Sequence, residues 1–362
     1  METLATDDGD KEPKVRVVVV GATGNVGLQT VTALADDGME VVGLARRRPD
    51  LAVQGVTWQE ADVASDDLVP LLRGADAVVH LAWLLQPSRD EAMQWHTNVE
   101  GTRRVLDAVA EAEVGAVIVF SSVGAYSSGP KDTPVDESWP TDGVPTSPYS
   151  RQKAYNERVM DAFEARHPDI RVVRLRPGLL FQAAAASEIR RLFAGPFLPT
   201  PLLRRVGVPV VPDVPGLRLQ LLHTSDVAEA VRLAVRLEVR GAFNLAADPP
   251  LDPPDIARVL GARLVAVPAR VLRAATGIGW RLRLLPIDPG WIDMALSAPL
   301  LSTERARREL GWRPRLGAEE VLADFVRALG EQRGGPTPPL ARDAGGPARS
   351  REIATGVGGE ER

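Results

Sequence analysis

The sequence predicts an α/β fold, in which a doubly wound parallel sheet is followed by a smaller, mostly helical C-terminal lobe. Three observations support this prediction. Short β-branched runs alternate with helical patterns from residue 15 to residue 175, as in a sheet buried on both faces. The loops between them are short. After Pro177 the alternation stops, and segments broken by prolines take its place.

The pattern predicts the elements in order along the chain. The first strand is a continuous valine run, and a glycine turn and a helix follow it directly. A long amphipathic helix precedes the fifth strand, and another follows it. The predicted strands are 15–20, 40–45, 56–59, 75–81, 114–120, 170–175 and 242–245; the predicted helices are 28–37, 65–72, 91–113, 149–166, 223–238 and 303–310.

The same pattern divides the chain into domains. Residues 14–177 and 223–246 form the predicted sheet domain, and residues 178–222 and 247–330 form a second lobe that binds the substrate. Residues 1–13 are expected to be a disordered leader. Residues 331–362, rich in Gly, Pro, Arg and Ala, are expected to be a disordered tail because they have little to bury.

Composition excludes several classes of function. The net charge of −5, from 43 basic and 48 acidic residues, gives no basic face for nucleic acid. The absence of cysteine excludes disulfides, thiolate metal sites and a cysteine nucleophile, and no metal is expected. No apolar run is long enough to span a bilayer, and residues 1–14 lack a signal region. We therefore expect a cytoplasmic protein with no membrane partner.

A glycine turn between the first strand and its helix predicts a dinucleotide site. In Gly21-x-x-Gly24-x-x-Gly27, glycines let a pyrophosphate approach the helix N-terminus, where free N–H groups converge. The alternative is an ordinary tight turn, which uses the same glycines. The predicted contacts are Gly21, Thr23, Gly24, Asn25, Val26 and Gly27.

The end of the second strand indicates which cofactor binds. The strand ends in Ala45-Arg46-Arg47-Arg48, with no carboxylate to accept a bond from a free ribose 2′-hydroxyl. Because arginine pairs with a 2′-phosphate, Arg46 favours NADP over NAD. The alternative is a solvated basic loop.

Tyr149 and Lys153 are the candidate catalytic pair. Four residues apart on a helix, their side chains lie on nearly the same face. A nearby ammonium is expected to favour the ionised phenol, so that Tyr149 can exchange a proton with a substrate oxygen, and Lys153 can also hold the nicotinamide ribose. With three tyrosines and four lysines in the chain, this spacing seldom arises by chance. The alternative is an exposed helical pair.

A serine after the fifth strand completes the set. Ser121 and Ser122 follow a buried strand, at the edge where parallel sheets bind ligands. A hydroxyl there can orient a substrate oxygen toward Tyr149. Ser122 is the first candidate and Ser121 the alternative.

Six ordered segments together resemble the extended short-chain dehydrogenase/reductases, the NAD-dependent epimerase/dehydratase family, over residues 14–328. The likeness implies a Rossmann-type sheet, and it places Ser122 four residues before Tyr126 as the catalytic serine. It also implies adenine contacts at Asp62 and Val63, and a homodimer through helices 91–113 and 149–166. The segments are Gly21-Ala-Thr-Gly-Asn-Val-Gly27, Asn98-Val-Glu-Gly-Thr102, Ser121-Ser-Val-Gly-Ala-Tyr126, Arg176-Pro-Gly178, His223-Thr-Ser-Asp-Val-Ala228 and Leu310-Gly-Trp-Arg-Pro314. Further cofactor contacts that the resemblance implies are Leu81, Ala82, Asn98 and Pro177.

Departures from the family pattern narrow the expected reaction. Val123-Gly124 stand where sugar dehydratases have Asp-Glu, and Leu219 stands where nucleotide-sugar epimerases have an arginine. We therefore predict an NADP(H)-linked reductase that acts on a small molecule with a hydroxyl or carbonyl group. The alternatives are a sugar or nucleotide-sugar epimerase and a non-catalytic dinucleotide-sensing or structural protein.

Overall fold

A computed structural model describes residues 14–359, and its main feature is a seven-stranded parallel sheet in the order β10-β6-β5-β4-β1-β2-β3. Two further pairs of short parallel strands, β7 with β9 and β8 with β11, lie outside it. The strands are β1 Arg16–Val20, β2 Glu40–Ala45, β3 Val56–Glu60, β4 Ala77–His80, β5 Ala116–Phe120, β6 Arg171–Pro177, β7 Leu179–Phe181, β8 Val210–Asp213, β9 Leu221–His223, β10 Gly241–Leu245 and β11 Arg263–Ala266.

Helices cover both faces of the sheet, so the predicted doubly wound fold is confirmed. The helices are α1 Asn25–Asp36, α2 Val69–Leu72, α3 Glu91–Trp95, α4 Gly101–Glu111, α5 Pro148–Arg166, α6 Ala186–Ile189, α7 Thr200–Val206, α8 Thr224–Arg236, α9 Pro253–Leu260, α10 Ala269–Arg281, α11 Gly290–Ser297, α12 Ala318–Gly330 and α13 Ser350–Ala354. Five-residue π-helical turns extend three of the helical segments, at His96–Glu100, Arg190–Ala194 and Ala306–Leu310.

The core has two halves, one on each face of the sheet. Alternate residues of each central strand point to opposite faces, so Val17 and Val19 of β1 lie in one half and Val18 and Val20 in the other. One half includes the apolar faces of α1 and α8, and the other includes those of α4 and α5. All four valines are at most 2% exposed, as their unbroken apolar run predicts.

Two predicted helices differ from those observed. The pattern predicts a helix over 65–72, but only Val69–Leu72 is helical, because Asp62 and Asp66 bind the backbone of the preceding turn. The helix predicted over 91–113 forms, and the π-helical turn at His96–Glu100 joins α3 to α4.

The C-terminal segment differs more. Residues 331–359 were expected to be disordered, but they pack along the lobe and end in α13. Thr337 and Leu340 are fully buried, and Glu352 forms a buried ion pair with Arg190. Composition does not reveal these few buried contacts, since each partner lies far away in the sequence. The predicted leader, residues 1–13, and residues 360–362 lie outside the described residues.

The described helices were also compared with the dimensions of a bilayer. Among residues 14–359, none of the helices combines the length and the apolar character that crossing a membrane requires.

Candidate functional site

The candidate site lies along the carboxyl edge of the sheet. The parallel register aligns Val20 with Leu44 and with His80, so β1, β2 and β4 end side by side. β5 and β6 end at the same edge, where Phe120 pairs with Leu175. After β3 the chain returns across the sheet and forms β4 on the other side of β1, so the strand order reverses between β1 and β4. Open α/β sheets bind their ligands at such a reversal. Sequence-predicted residues at the ends of six strands, β1 to β6, are thereby brought to one edge.

Two glycines of the turn after β1 are required by close packing. A Cβ on Gly21 would lie 2.6 Å from the Ala82 nitrogen, and Gly21 has a φ of +86°. A Cβ on Gly27 would lie 2.2 Å from the Gly21 oxygen. These two glycines hold the turn against the segment after β4 and hold α1 against the turn.

Gly24 has no such structural requirement. Its φ of −77° is accessible to any residue, and a Cβ there would meet only the Gly21 oxygen, at 3.7 Å. Beside it, the backbone N–H groups of Asn25 and Val26 donate to no acceptor among residues 14–359. Free amides and an open approach at a helix N-terminus fit a bound phosphate group. Thr23 lies in the same turn, and its carbonyl oxygen accepts a hydrogen bond from Thr337 at 2.7 Å.

The far end of the cleft contains the residues predicted for the adenosine. Arg46 follows β2, is exposed, and pairs with no other described residue. Asp62 follows β3 and is half-buried, with one carboxylate oxygen accepting the Ala64 amide at 2.9 Å. Val63 is buried, and it lies against Gly101 of α4.

The segment after β4, residues 81–84, lies beside the glycine turn. The Leu81 amide donates to the Val20 oxygen at 2.8 Å, and Ala82 lies against Gly21. The buried Asn98 side chain binds both backbone polar groups of Leu84, at 2.6 and 2.9 Å. Asn98 therefore fixes the path of this segment. Pro177, at the end of β6, is buried at the same edge.

Tyr149 and Lys153 are placed by α5. Pro148 occupies the first helical turn, and the Ser147 side chain accepts the Ser150 amide as an N-cap. The Lys153 Nζ atom donates to the Phe120 oxygen at 2.8 Å and lies 5.9 Å from the centre of the Tyr149 ring. The helical spacing therefore brings both side chains to the end of β5.

The two serines after β5 have different partners. Ser121 donates to a carboxylate oxygen of the buried Glu157 at 2.6 Å, and Arg176 binds the same carboxylate. The Ser122 hydroxyl accepts the Gly124 amide at 3.0 Å and is close enough to the Tyr149 phenol to affect its pKa. Ser122, and not Ser121, is thus next to the phenol.

Burial dominates the protonation of the pair. Burial raises the pKa of Tyr149 to about 12, and the nearby Ser122 hydroxyl only partly opposes this. Burial lowers the pKa of Lys153 to about 7, against the attraction of Glu157. The sequence-based expectation was that a charged Lys153 favours the ionised phenol. In this structure the phenol is protonated at neutral pH instead.

Aromatic rings surround Tyr149. The Trp291 ring lies 4.9 Å from the Tyr149 ring, and Trp83 meets it edge-on at 5.7 Å. The Trp83 ring also covers the Lys153 Nζ atom at 3.5 Å. His80, by contrast, bonds to Thr102 and is neutral, since burial lowers its pKa to about 3.

Fold and site together are of the short-chain dehydrogenase/reductase type. Residues 17–246 match the model of the NAD dependent epimerase/dehydratase family. The chain belongs to this family.

Two curated proteins are similar to this chain in sequence. An uncharacterised protein of Mycobacterium tuberculosis is 30% identical over 321 residues, which cover 87% of this chain. The chain spans only 30% of that relative's length. A UDP-glucose 4-epimerase of Halalkalibacterium halodurans is 31% identical over 151 residues, which are 40% of this chain and 44% of the relative.

A solved structure extends the likeness to nearly the whole fold. A short-chain dehydrogenase/reductase superfamily protein from Agrobacterium tumefaciens, with bound NAD, superposes with a TM-score of 0.64 at 25% identity. The match covers 88% of this chain and 98% of that protein. The lobe and the sheet therefore both have counterparts in it.

Proposed function

We propose that this chain transfers hydride between a nicotinamide dinucleotide and a small molecule with a secondary alcohol or ketone, and that it works mainly as an NADP(H)-linked reductase in the cytoplasm. The observation that carries the proposal is that Tyr149, Lys153 and Ser122 meet at the end of β5. The Lys153 Nζ atom lies 5.9 Å from the centre of the Tyr149 ring and donates to the oxygen of Phe120, two residues before Ser122. All three lie at the sheet edge that also presents the glycine turn.

The cleft residues fit the cofactor in order. The free amides of Asn25 and Val26 would hold the pyrophosphate, while Lys153 would hold the nicotinamide ribose. The unpaired Arg46 would bind a 2′-phosphate, which is the basis for preferring NADP. The bound cofactor would supply or accept the hydride. The remaining proposed contacts are Gly21, Thr23, Gly24, Gly27, Asp62, Val63, Leu81, Ala82, Asn98 and Pro177.

The chain's own residues would bind the substrate oxygen and supply its proton. With a pKa near 12, the Tyr149 phenol is protonated at neutral pH, which suits a general acid. It donates its proton to the carbonyl oxygen during reduction, and Ser122 orients that oxygen by a hydrogen bond. The alcohol leaves with the proton, and solvent then protonates the tyrosinate again. In the opposite direction the ionised phenol would accept the same proton from the alcohol.

An epimerase is the second candidate. It is favoured by the family and by the likeness to a UDP-glucose 4-epimerase over 151 residues. An epimerase oxidises and then reduces one substrate, so it shows no net redox change. A reductase consumes one reduced cofactor for each turnover.

We also propose a homodimer through α3 and α4 with α5. On these helices, Trp95 and Tyr155 stack at 4.8 Å and are 36% and 48% exposed. An exposed aromatic pair of this kind is suited to burial in an interface.

A cofactor titration followed by a carbonyl screen tests the proposal. NADPH and NADH binding is measured by fluorescence, and cofactor oxidation is then followed with a panel of ketones and, separately, UDP-glucose with NAD. Tyr149→Phe should lower kcat by about 10²–10⁴-fold and leave the NADPH Kd unchanged. Tyr155→Phe is the matched control outside the site. Undiminished turnover by Tyr149→Phe would exclude the proposed chemistry and favour a dinucleotide-sensing protein.

A further inference from the structure

A long basic and apolar segment of the lobe has no role in the proposed chemistry. Residues 256–287 contain six arginines and no acidic residue or lysine, although the whole chain has a net charge of −5. Besides the arginines, this segment offers almost no polar side chain, only Thr276 and Trp280. It comprises most of α9, β11 and α10.

The apolar residues of this segment are exposed to an unusual degree. On α10, Val271, Ile278 and Leu282 are 51%, 56% and 64% exposed. Their spacing of seven and four residues aligns them in one stripe along the helix and its C-cap. Leu264 and Val265 of β11 are also more than 40% exposed, but neighbouring side chains of a strand point to opposite sides, so these two do not form one surface. The aliphatic stripe on α10 indicates a contact surface.

Unpaired cations border the stripe. Arg270 and Arg281 lie about 90° from it around the helix, at 3.6 residues per turn. The guanidinium of neither residue forms a hydrogen bond or an ion pair within residues 14–359. Other arginines of the segment are neutralised, such as Arg273, which pairs with Asp293 at 2.7 Å.

We propose that α10 forms a docking face for an anionic membrane surface. An apolar stripe flanked by free arginines matches a peripheral helix that lies in the lipid headgroup region. Among residues 14–359 none of the helices could span a bilayer, but peripheral docking does not need a spanning helix. The proposal departs from the sequence-based expectation that the protein has no membrane partner.

The docking face is one helix away from the candidate site. α10 packs on α11 through the Arg273–Asp293 pair, and α11 carries Trp291, whose ring lies 4.9 Å from Tyr149. A membrane-bound lobe would therefore hold the site close to the lipid surface. The docking itself does not rest on the proposed reaction, and its test needs no substrate.

Vesicle sedimentation tests the proposal with the full chain. Wild-type protein should sediment with vesicles of phosphatidylcholine and phosphatidylglycerol, and not with phosphatidylcholine alone, and 0.5 M salt should weaken the binding. Val271→Gln/Ile278→Gln/Leu282→Gln should lower the affinity at least tenfold. Arg270→Gln/Arg281→Gln should lower it by about fivefold for each arginine. Because glutamine is a good helix former, circular dichroism should remain unchanged.

Val206→Gln/Leu237→Gln is the matched control, since both residues are exposed aliphatics outside the face. It should sediment like the wild type. The proposal is overturned if the wild-type protein ignores phosphatidylglycerol vesicles or if the triple variant binds them equally well. A third result would also overturn it: light scattering shows that the wild type is an oligomer and the triple variant is not, and neither protein binds vesicles. The face would then be a protein interface.

Discussion

Burial of Lys153 is predicted to lower the free energy of unfolding by an amount that depends on pH. Its amine is 4% exposed, and burial lowers its pKa from 10.5 to about 7. Between these two values the unfolded chain holds a proton that the folded chain lacks. The free energy of unfolding therefore rises as the pH increases from 7 to 10.5. At about 1.4 kcal/mol for each pH unit, burial of this amine costs about 4 kcal/mol at pH 7 and about 1 kcal/mol at pH 10.

Replacing this lysine with methionine of similar shape removes that cost. Lys153→Met also loses the hydrogen bond to the Phe120 oxygen, worth about 1 kcal/mol for a neutral amine. We expect the variant to be more stable than the wild type by about 3 kcal/mol at pH 7. At pH 10 the two proteins should be about equally stable.

Urea unfolding of the cofactor-free protein at pH 7, 8.5 and 10 measures this difference. The change of about 3 kcal/mol between the two ends of the range is the robust quantity, because the lost hydrogen bond contributes equally at every pH. Activity should fall at every pH. Lys131→Met is the control: burial lowers the pKa of Lys131 to about 8, but this lysine lies away from Tyr149 and its loss should spare activity. A stability difference that does not vary with pH would refute the reasoning.

Three other predictions concern the cleft and the tail. Gly24→Ala should leave the melting temperature unchanged but weaken NADPH binding at least tenfold. Gly27→Ala should instead destabilise the fold by more than 2 kcal/mol, because its Cβ would meet the backbone at 2.2 Å. Calorimetry measures the stability and titration the binding, and an equal loss of binding without destabilisation in both variants would contradict the packing argument. Arg46→Ala should raise the NADPH Kd about tenfold and leave the NADH Kd unchanged, and a parallel change in both would exclude a 2′-phosphate contact. Leu340→Ala should destabilise the fold by about 2–4 kcal/mol in urea, while an unchanged midpoint would show that the tail does not pack.

The sheet and its ligand edge could be predicted because their signals are local. An unbroken valine run predicts a strand buried on both faces, and the glycine spacing after it needs only the next seven residues to be recognised. Tyr149 and Lys153 share one helix, so their proximity also follows from spacing alone. The parallel register then brings these local features to one edge without further information.

Other features of the site depend on contacts between distant residues. Thr337 reaches the Thr23 oxygen across 314 positions, and Trp291 reaches Tyr149 from the other end of the lobe. Composition predicted a disordered tail because it averages over residues, while a few buried side chains such as Leu340 hold the segment in place. The expected effect of Lys153 on the phenol pKa was wrong for the same reason. Spacing shows that the two groups are near each other, but it does not show how deeply they are buried.

The residues most informative about function are those that the fold itself does not require. Gly24 has an ordinary φ and an open Cβ position, so neither the backbone nor packing explains a glycine there. Lys153 occupies a buried position where methionine would be more stable at neutral pH. Arg270 and Arg281 border exposed aliphatic residues and bind no other described side chain. In a sequence otherwise consistent with its structure, such local conflicts mark positions selected for a ligand. The first two point to a dinucleotide and its reacting partner, and the arginines point to a surface outside the molecule.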